Sequence, residues 1–141
     1  MSIIRILGLG YAAMFFFVAF MGYIPAFVDA EGNLFGLFTL DMYDNTLHAS
    51  SGLWALIAAS ISNRQIILYF KIFGSLYFLD SLIGLYAGNS YLDFGIFIYG
   101  VADNPFILNF LLNVPHVIIG GTALIFGFYL SRKSWATKAR S

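Results

Sequence analysis

The sequence predicts an all-α integral membrane protein, a four-helix bundle built from two parallel two-helix repeats. Three observations predict it. Hydrophobic residues fill 60% of the 141 positions and charged residues only 10%. A soluble chain of this size could not bury that much apolar surface. The apolar residues gather into four runs of spanning length. Finally, an Asn-x-x-His-x-x-x-Gly pattern occurs twice, as Asn45 to Gly52 and Asn113 to Gly120, opening the second and fourth runs.

The elements follow in order, within a single domain over residues 1–141. The first span is expected at about 6–28 and is rich in phenylalanine (Phe15, Phe16, Phe17, Phe20). Arg5 and Val28-Asp29-Ala30 give it some likeness to a signal peptide. Its apolar run is too long for the core of one, so the stretch reads as an uncleaved span. Pro25 is expected to end or bend it. Residues 29–44 form a polar-to-amphipathic connection. The second span covers about 43–62, with Asp41 or Asp44 as cap. Ser62-Asn63-Arg64-Gln65 makes a tight turn. The third span covers about 66–88 and ends at Gly88-Asn89. Residues 89–104 form a second long connection. Asn104-Pro105 reads as a cap followed by proline in the first turn. The fourth span proper covers about 111–131, and Pro115 near its start frees the Leu111 carbonyl.

Net charge is zero, but the charges are sorted. Lys and Arg stand at 5, 64, 71, 132, 133, 138 and 140, in the start, the 2–3 turn region and the tail. The two long connections have none and carry Asp29, Glu31, Asp41, Asp44, Asp93 and Asp103. The positive-inside rule then puts both termini in the cytoplasm. Cysteine is absent, which excludes thiol chemistry, disulfides and iron–sulfur clusters. Nothing basic and aromatic suggests nucleic acid.

The repeat extends beyond the histidine motif. Arg5-Ile-Leu-Gly8 is matched by Lys71-Ile-Phe-Gly74, and Phe35-Gly-Leu-Phe38 by Phe94-Gly-Ile-Phe97. Two halves of two spans each share one orientation, so their pseudo-two-fold axis runs along the membrane normal. Continuing from the two histidine motifs, Gly52, Ala55 and Ala59 correspond to Gly120, Ala123 and Gly127. Small residues at this spacing make one helical stripe. Spans 2 and 4 are expected to meet through those stripes, with Asn45, His48, Asn113 and His116 hydrogen-bonded above them.

Four spans, a Phe-Gly-x-Phe run and Asn-x-x-His heading spans 2 and 4 resemble the uncharacterised bacterial membrane family catalogued as domain of unknown function 4383. The chain is more distantly similar to DoxX-like proteins. The resemblance covers residues 5–131. It implies a four-helix bundle in the bacterial inner membrane and carries no assigned activity. Pro115 and the longer 3–4 connection depart from it at the head of span 4.

His48 and His116 are the only histidines. Imidazole can ligate a haem iron or a chlorophyll magnesium, and two at one depth could face one ring. The plainer alternative is polar contact between helices, worth about 0.6–2 kcal/mol each. Two histidines without cysteine or a clear third ligand fall short of a zinc set. Asp80 lies mid-span, where a carboxylate costs about 2.5–3.5 kcal/mol and must find a partner. The histidines are its natural partners, with Tyr11, Tyr77 and Ser81 as alternatives. A relay, an amine site and simple interhelical bonding all stay open for it.

No catalytic set stands out: Ser50 and Ser51 belong to no triad or nucleophile elbow. The first functional expectation is an accessory or structural subunit of a larger membrane complex. The second is tetrapyrrole binding through His48 and His116, although no cofactor is the simpler expectation. The third is a small carrier or membrane enzyme acting on quinone or lipid through Asp80 and the histidines. The aromatic connections would cap the bundle or meet lipid or a partner, and the basic tail would anchor it at the cytoplasmic interface.

Overall fold

A computed structural model describes the backbone of residues 1–138 and the side-chain surroundings as far as residue 132. The helices are α1 (Ile3–Met21), α2 (Met42–Ile61), α3 (Asn63–Ala87), the short α4 (Gly95–Tyr99) and α5 (Phe106–Lys138). Among the described residues there is no strand. Isolated bridges from Leu34 to Val28 and Phe38 fold the first connection on itself.

Three segments are long and apolar enough to cross a membrane: Ile3–Met21, Asn63–Ala87 and Phe106–Arg132. Four equivalent spans were expected. α2 is as long as α1, but Asp44, Asn45, His48 and its serines dilute its apolar run.

Helix ends follow local chemistry. α1 stops at Met21, short of 28, because Gly22 caps it and Pro25 opens a 3-10 turn over Pro25–Phe27. Asp41 caps α2, its Oδ1 accepting from the amides of Tyr43 at 2.6 Å and Asp44 at 3.1 Å. The Asp44 carboxylate accepts in return from the Asp41 amide at 3.0 Å, completing a reciprocal cap. The Ser62 hydroxyl starts α3 by accepting from the Gln65 amide. Gly88, at φ +76°, ends α3 in the left-handed conformation that favours glycine. α5 begins at Phe106, so Pro105 holds the cap position instead of the first turn; its carbonyl accepts from Leu108 and Asn109. The helix then runs through Pro115 unbroken.

α1 packs chiefly on α2, and α3 chiefly on α5; α3 also touches α1 and α2. Glycines set the closest approaches. A Cβ on Gly52 would stand 3.2 Å from the Ala12 carbonyl oxygen of α1. One on Gly120 would stand 2.6 Å from the Phe78 amide nitrogen of α3. Gly74 and Gly127 likewise leave no room, meeting Leu124 and Lys71 backbone at 2.7 and 2.9 Å. The α2 stripe therefore faces α1 and the α5 stripe faces α3. The expected meeting of the two stripes is corrected. Small residues demand a close neighbour without naming it, and here that neighbour is the long helix preceding each, α1 for α2 and α3 for α5.

The core between the helices is aromatic, with Tyr11, Phe15, Tyr69, Phe70, Phe73 and Tyr77 packed among Ala55, Ala59 and Ala123. At the N-terminal end of the bundle, Arg5 donates to the carbonyls of Ala59 at 2.5 Å and Ser60 at 2.9 Å. A cation on the last carbonyls of α2 suits their partial negative charge. Both long connections lie at the other end, where they line one cavity. Phe35 and Phe94, each followed by glycine, both take positive φ, +54° and +65°. The side chains of Lys133, Lys138 and Arg140, read as an interfacial anchor, lie outside the described residues.

Candidate ligand site at the paired histidines

Each of the four long helices contributes one ring to a layer below the loop end. Phe15 of α1 stacks on His48 of α2 with centroids 5.9 Å apart. His48 meets His116 of α5 edge to face at 6.4 Å. His116 lies 4.5 Å from Tyr77 of α3, and Tyr77 returns to Phe15 at 5.7 Å. α2 and α5, which barely touch elsewhere, reach one another here through their histidines.

Asp80 lies one turn along α3 from Tyr77 and is fully buried. Its Oδ1 accepts from the amides of Tyr91 at 2.9 Å and Leu92 at 2.8 Å. Its Oδ2 stands 3.3 Å from Nδ1 of His116. That distance allows charge pairing, but the ring nitrogen is not aligned for a hydrogen bond. Asp80 thus holds the second connection with one oxygen and faces the histidine with the other. Burial, and after it the Asp80 charge, pushes the Tyr91 phenol above its ordinary value. The other partners considered for Asp80 are engaged differently. Tyr11 donates to the Ile119 carbonyl at 2.9 Å. Ser81 donates to the Phe78 carbonyl at 2.6 Å. Tyr77 has a buried hydroxyl with no partner.

The expected cluster of Asn45, His48, Asn113 and His116 does not form hydrogen bonds among its members. Asn45 Oδ1 and His48 Nδ1 are buried without partners. Asn113 donates to the Asn109 carbonyl at 2.9 Å and is approached by the Ser90 hydroxyl at 3.4 Å. The reason is the helix order: with α2 facing α1 and α5 facing α3, the motif heads meet only through the edges of their imidazole rings. Several participants escape a sequence search. Phe15 is one phenylalanine among many, and the Tyr91 and Leu92 amides carry no side-chain signature. Asn109 did leave a signal, since Asn109, Asn113 and His116 fall at i, i+4 and i+7 on one face of α5.

Two cavities meet at the histidines. One, of about 350 Å³, opens at the loop end between α2 and α5. It is lined by both connections and by Asp41, Asp44, Asp93 and Asn113 besides the two histidines. The other, of about 180 Å³, is an apolar cleft lined by Phe15 and Val18 of α1, Leu34 and Phe38 of the first connection, and Pro115 and Ile119 of α5, again with both histidines. Among the described residues no group of three or more His, Cys, Asp or Glu is arranged to hold a metal ion. No family model, curated protein or solved structure matches the chain.

Proposed function

We propose that the protein binds a membrane amphiphile of the quinone or lipid class and acts as a small carrier. The polar head would sit at His48 and His116, and the apolar part in the α1–α5 cleft. The observation that carries this is the junction of a polar cavity and an apolar one at the same two imidazoles. Amphiphilic ligands need that division, and ligand sites combine an apolar lining with a few placed polar groups. Buried polar atoms without partners, His48 Nδ1 and Tyr77 Oη, border the junction. In folded proteins such atoms are usually paired. The Asp80 carboxylate beside His116 gives that ring a route to accept a proton from a bound head group.

The wider arrangement belongs to the same proposal: a four-helix bundle of two parallel repeats, in a bacterial inner membrane, with both termini cytoplasmic. Its support is the equivalent seating of Gly52 on α1 and Gly120 on α3, the shared left-handed Phe35 and Phe94, and the charge sorting. A subunit role is a second reading, favoured by the exposed Phe94, Phe97 and Tyr99 of the second connection. The tetrapyrrole reading is the weaker one, because Phe15 and Tyr77 already pack against the two imidazoles.

The test is extraction in mild detergent followed by mass spectrometry of bound small molecules. The expected result is a near-stoichiometric amphiphile that is lost in a His48→Ala, His116→Ala double variant. A ligand-free protein, or retention unchanged in the double variant, would defeat the proposal. A visible absorption band lost in the same variant would select the tetrapyrrole instead.

A further inference from the structure

The cavity at the loop end has a strongly one-sided charge. Asp41, Asp44 and Asp93 line it, and no Lys or Arg lines either cavity. Each carboxylate already holds a backbone amide: Asp41 those of Tyr43 and Asp44, Asp44 that of Asp41, and Asp93 that of Gly95. These bonds fix the carboxylates in place. Among the described residues none of the three has a Lys or Arg within ion-pairing distance. Three carboxylates around one mouth, with no basic side chain among its lining, disfavour phosphate and carboxylate heads and attract cations.

Acidic residues alone would not make a site. The second observation is His48, only 6% exposed, which lines the same cavity and whose Nδ1 has no partner. Phe38 and Tyr99 line it too. Aromatic faces beside carboxylates are the environment in which alkylammonium groups bind well. Among the described residues no group of three or more His, Cys, Asp or Glu is arranged to hold a metal ion, and the apolar cleft that continues from this cavity suits a cation that carries a chain.

Resting on the bipartite site proposed above, we infer that its ligand is a cationic amphiphile: a polar head at His48 and His116 whose ammonium group lies among Asp41, Asp44 and Asp93, with an alkyl or prenyl part in the α1–α5 cleft. The head then meets charge and aromatic faces, and the chain meets Val18, Leu34 and Ile119.

The experiment uses the full chain in nanodiscs of neutral lipid. Three photoactivatable probes share one twelve-carbon chain and differ in head: trimethylammonium, glucoside and phosphate. Mass spectrometry of the adducts reports labelling of cleft residues. The trimethylammonium probe is expected to label them at least about tenfold more than the glucoside, since one ion contact in a partly screened site is worth several-fold to many-fold in affinity. Labelling should fall with added salt. It should also fall to the glucoside level in an Asp41→Asn, Asp44→Asn, Asp93→Asn variant. Asparagine keeps the capping oxygen, so α2 should retain its start; far-ultraviolet circular dichroism checks this. If the triple variant loses helix, single Asp93→Asn, outside any long helix, carries the test with a smaller fall. Equal labelling by ammonium and glucoside probes, indifferent to the variants, would overturn the cationic head while leaving an amphiphile site. Preference for the phosphate probe would overturn it too. No cleft labelling by any probe would overturn both the head and the site.

Discussion

Asp80 Oδ2 lies 3.3 Å from His116 Nδ1 while Asp80 Oδ1 holds the amides of Tyr91 and Leu92. One buried carboxylate therefore joins a helix, a histidine and the connection that roofs the larger cavity. The two roles are separable by substitution. Asp80→Asn keeps an oxygen for the amides and removes the charge facing His116. Asp80→Ala removes both. Each buried amide left unpaired costs about 1–3 kcal/mol. Asp80→Ala should therefore melt well below Asp80→Asn in the same detergent. Equal melting temperatures would show that the amide contacts contribute nothing. Loss of ligand binding in a well-folded Asp80→Asn would assign the charge to the site.

Glycine substitutions probe the α3–α5 contact. A methyl at Gly120 would press on Phe78 backbone at 2.6 Å, and backbone cannot move aside as a side chain can. Gly120→Ala should destabilise by about 1–3 kcal/mol, the usual cost of overpacking. Gly10 of α1 has nothing within 4 Å of its Cβ position. Gly10→Ala should stabilise by about 0.5–1 kcal/mol through helix propensity. Denaturant or thermal unfolding of both variants measures the contrast, and a tolerated Gly120→Ala would mean that α3 and α5 stand farther apart.

Much of this was legible in the sequence. Apolar run length marks helices because a span needs about 20 residues, and Asp80 had to find a partner because an isolated carboxylate is costly there. His116 was one of its two natural choices. Partnership between helices was not legible. Gly52 and Gly120 announce a close neighbour, but either stripe could have met any helix. Nor was the roof: the Tyr91 and Leu92 amides that Asp80 holds are common to every residue. The weakness of α2 as a span was visible in Asp44, Asn45 and His48, yet the repeat with α5 argued for treating them alike.

Asp29 offers a pH test outside the helices. Its carboxylate accepts from the Asn33 amide at 2.6 Å and from the Glu31 amide at 3.1 Å. The Asn33 amide foremost, against some desolvation, draws its pKa below the ordinary 3.8. A depressed folded value means the turn is favoured at pH above 3.8 and loses that support as pH falls through the lower folded pKa. The Asn33 amide resonance should titrate with a midpoint below 3.8. A midpoint at or above that value would remove the carboxylate from the turn.

The orientation is testable in intact cells. Cysteine-free, the chain needs no background removal. Single cysteines replacing Glu31 or Asp93 should react with an impermeant reagent, while one replacing Arg64 should react only after lysis. Labelling of the Arg64 position from outside would reverse the topology, and the acidic cavity would then open to the cytoplasm.

Helix order underlies the site, because it decides whether the motif heads close on each other or leave a cavity between them. In the structure Gly8 faces α2 and the first turn of α3: a Cβ there would stand 3.1 Å from the Ala59 Cβ. Disulfides form when Cβ atoms lie about 3.5–4.5 Å apart. A shift of α1 by a few tenths of an ångström away from Ala59 and from Ile66, which also crowds Gly8, would reach that range. A Gly8→Cys, Ala59→Cys pair should therefore oxidise within the bundle. Gly52 and Gly120 face different helices, α1 and α3. A Gly52→Cys, Gly120→Cys pair should stay reduced under the same mild oxidant. Intact-mass measurement before and after thiol blocking distinguishes the states. A third pair, Leu53→Cys with Ile125→Cys, has both positions exposed on the bundle surface and reports random collision. If the Gly52 and Gly120 positions cross-link faster than that control, the stripes meet after all. The histidine heads would then close over a packed seam, the cavity between α2 and α5 would vanish, and the ligand site would go with it.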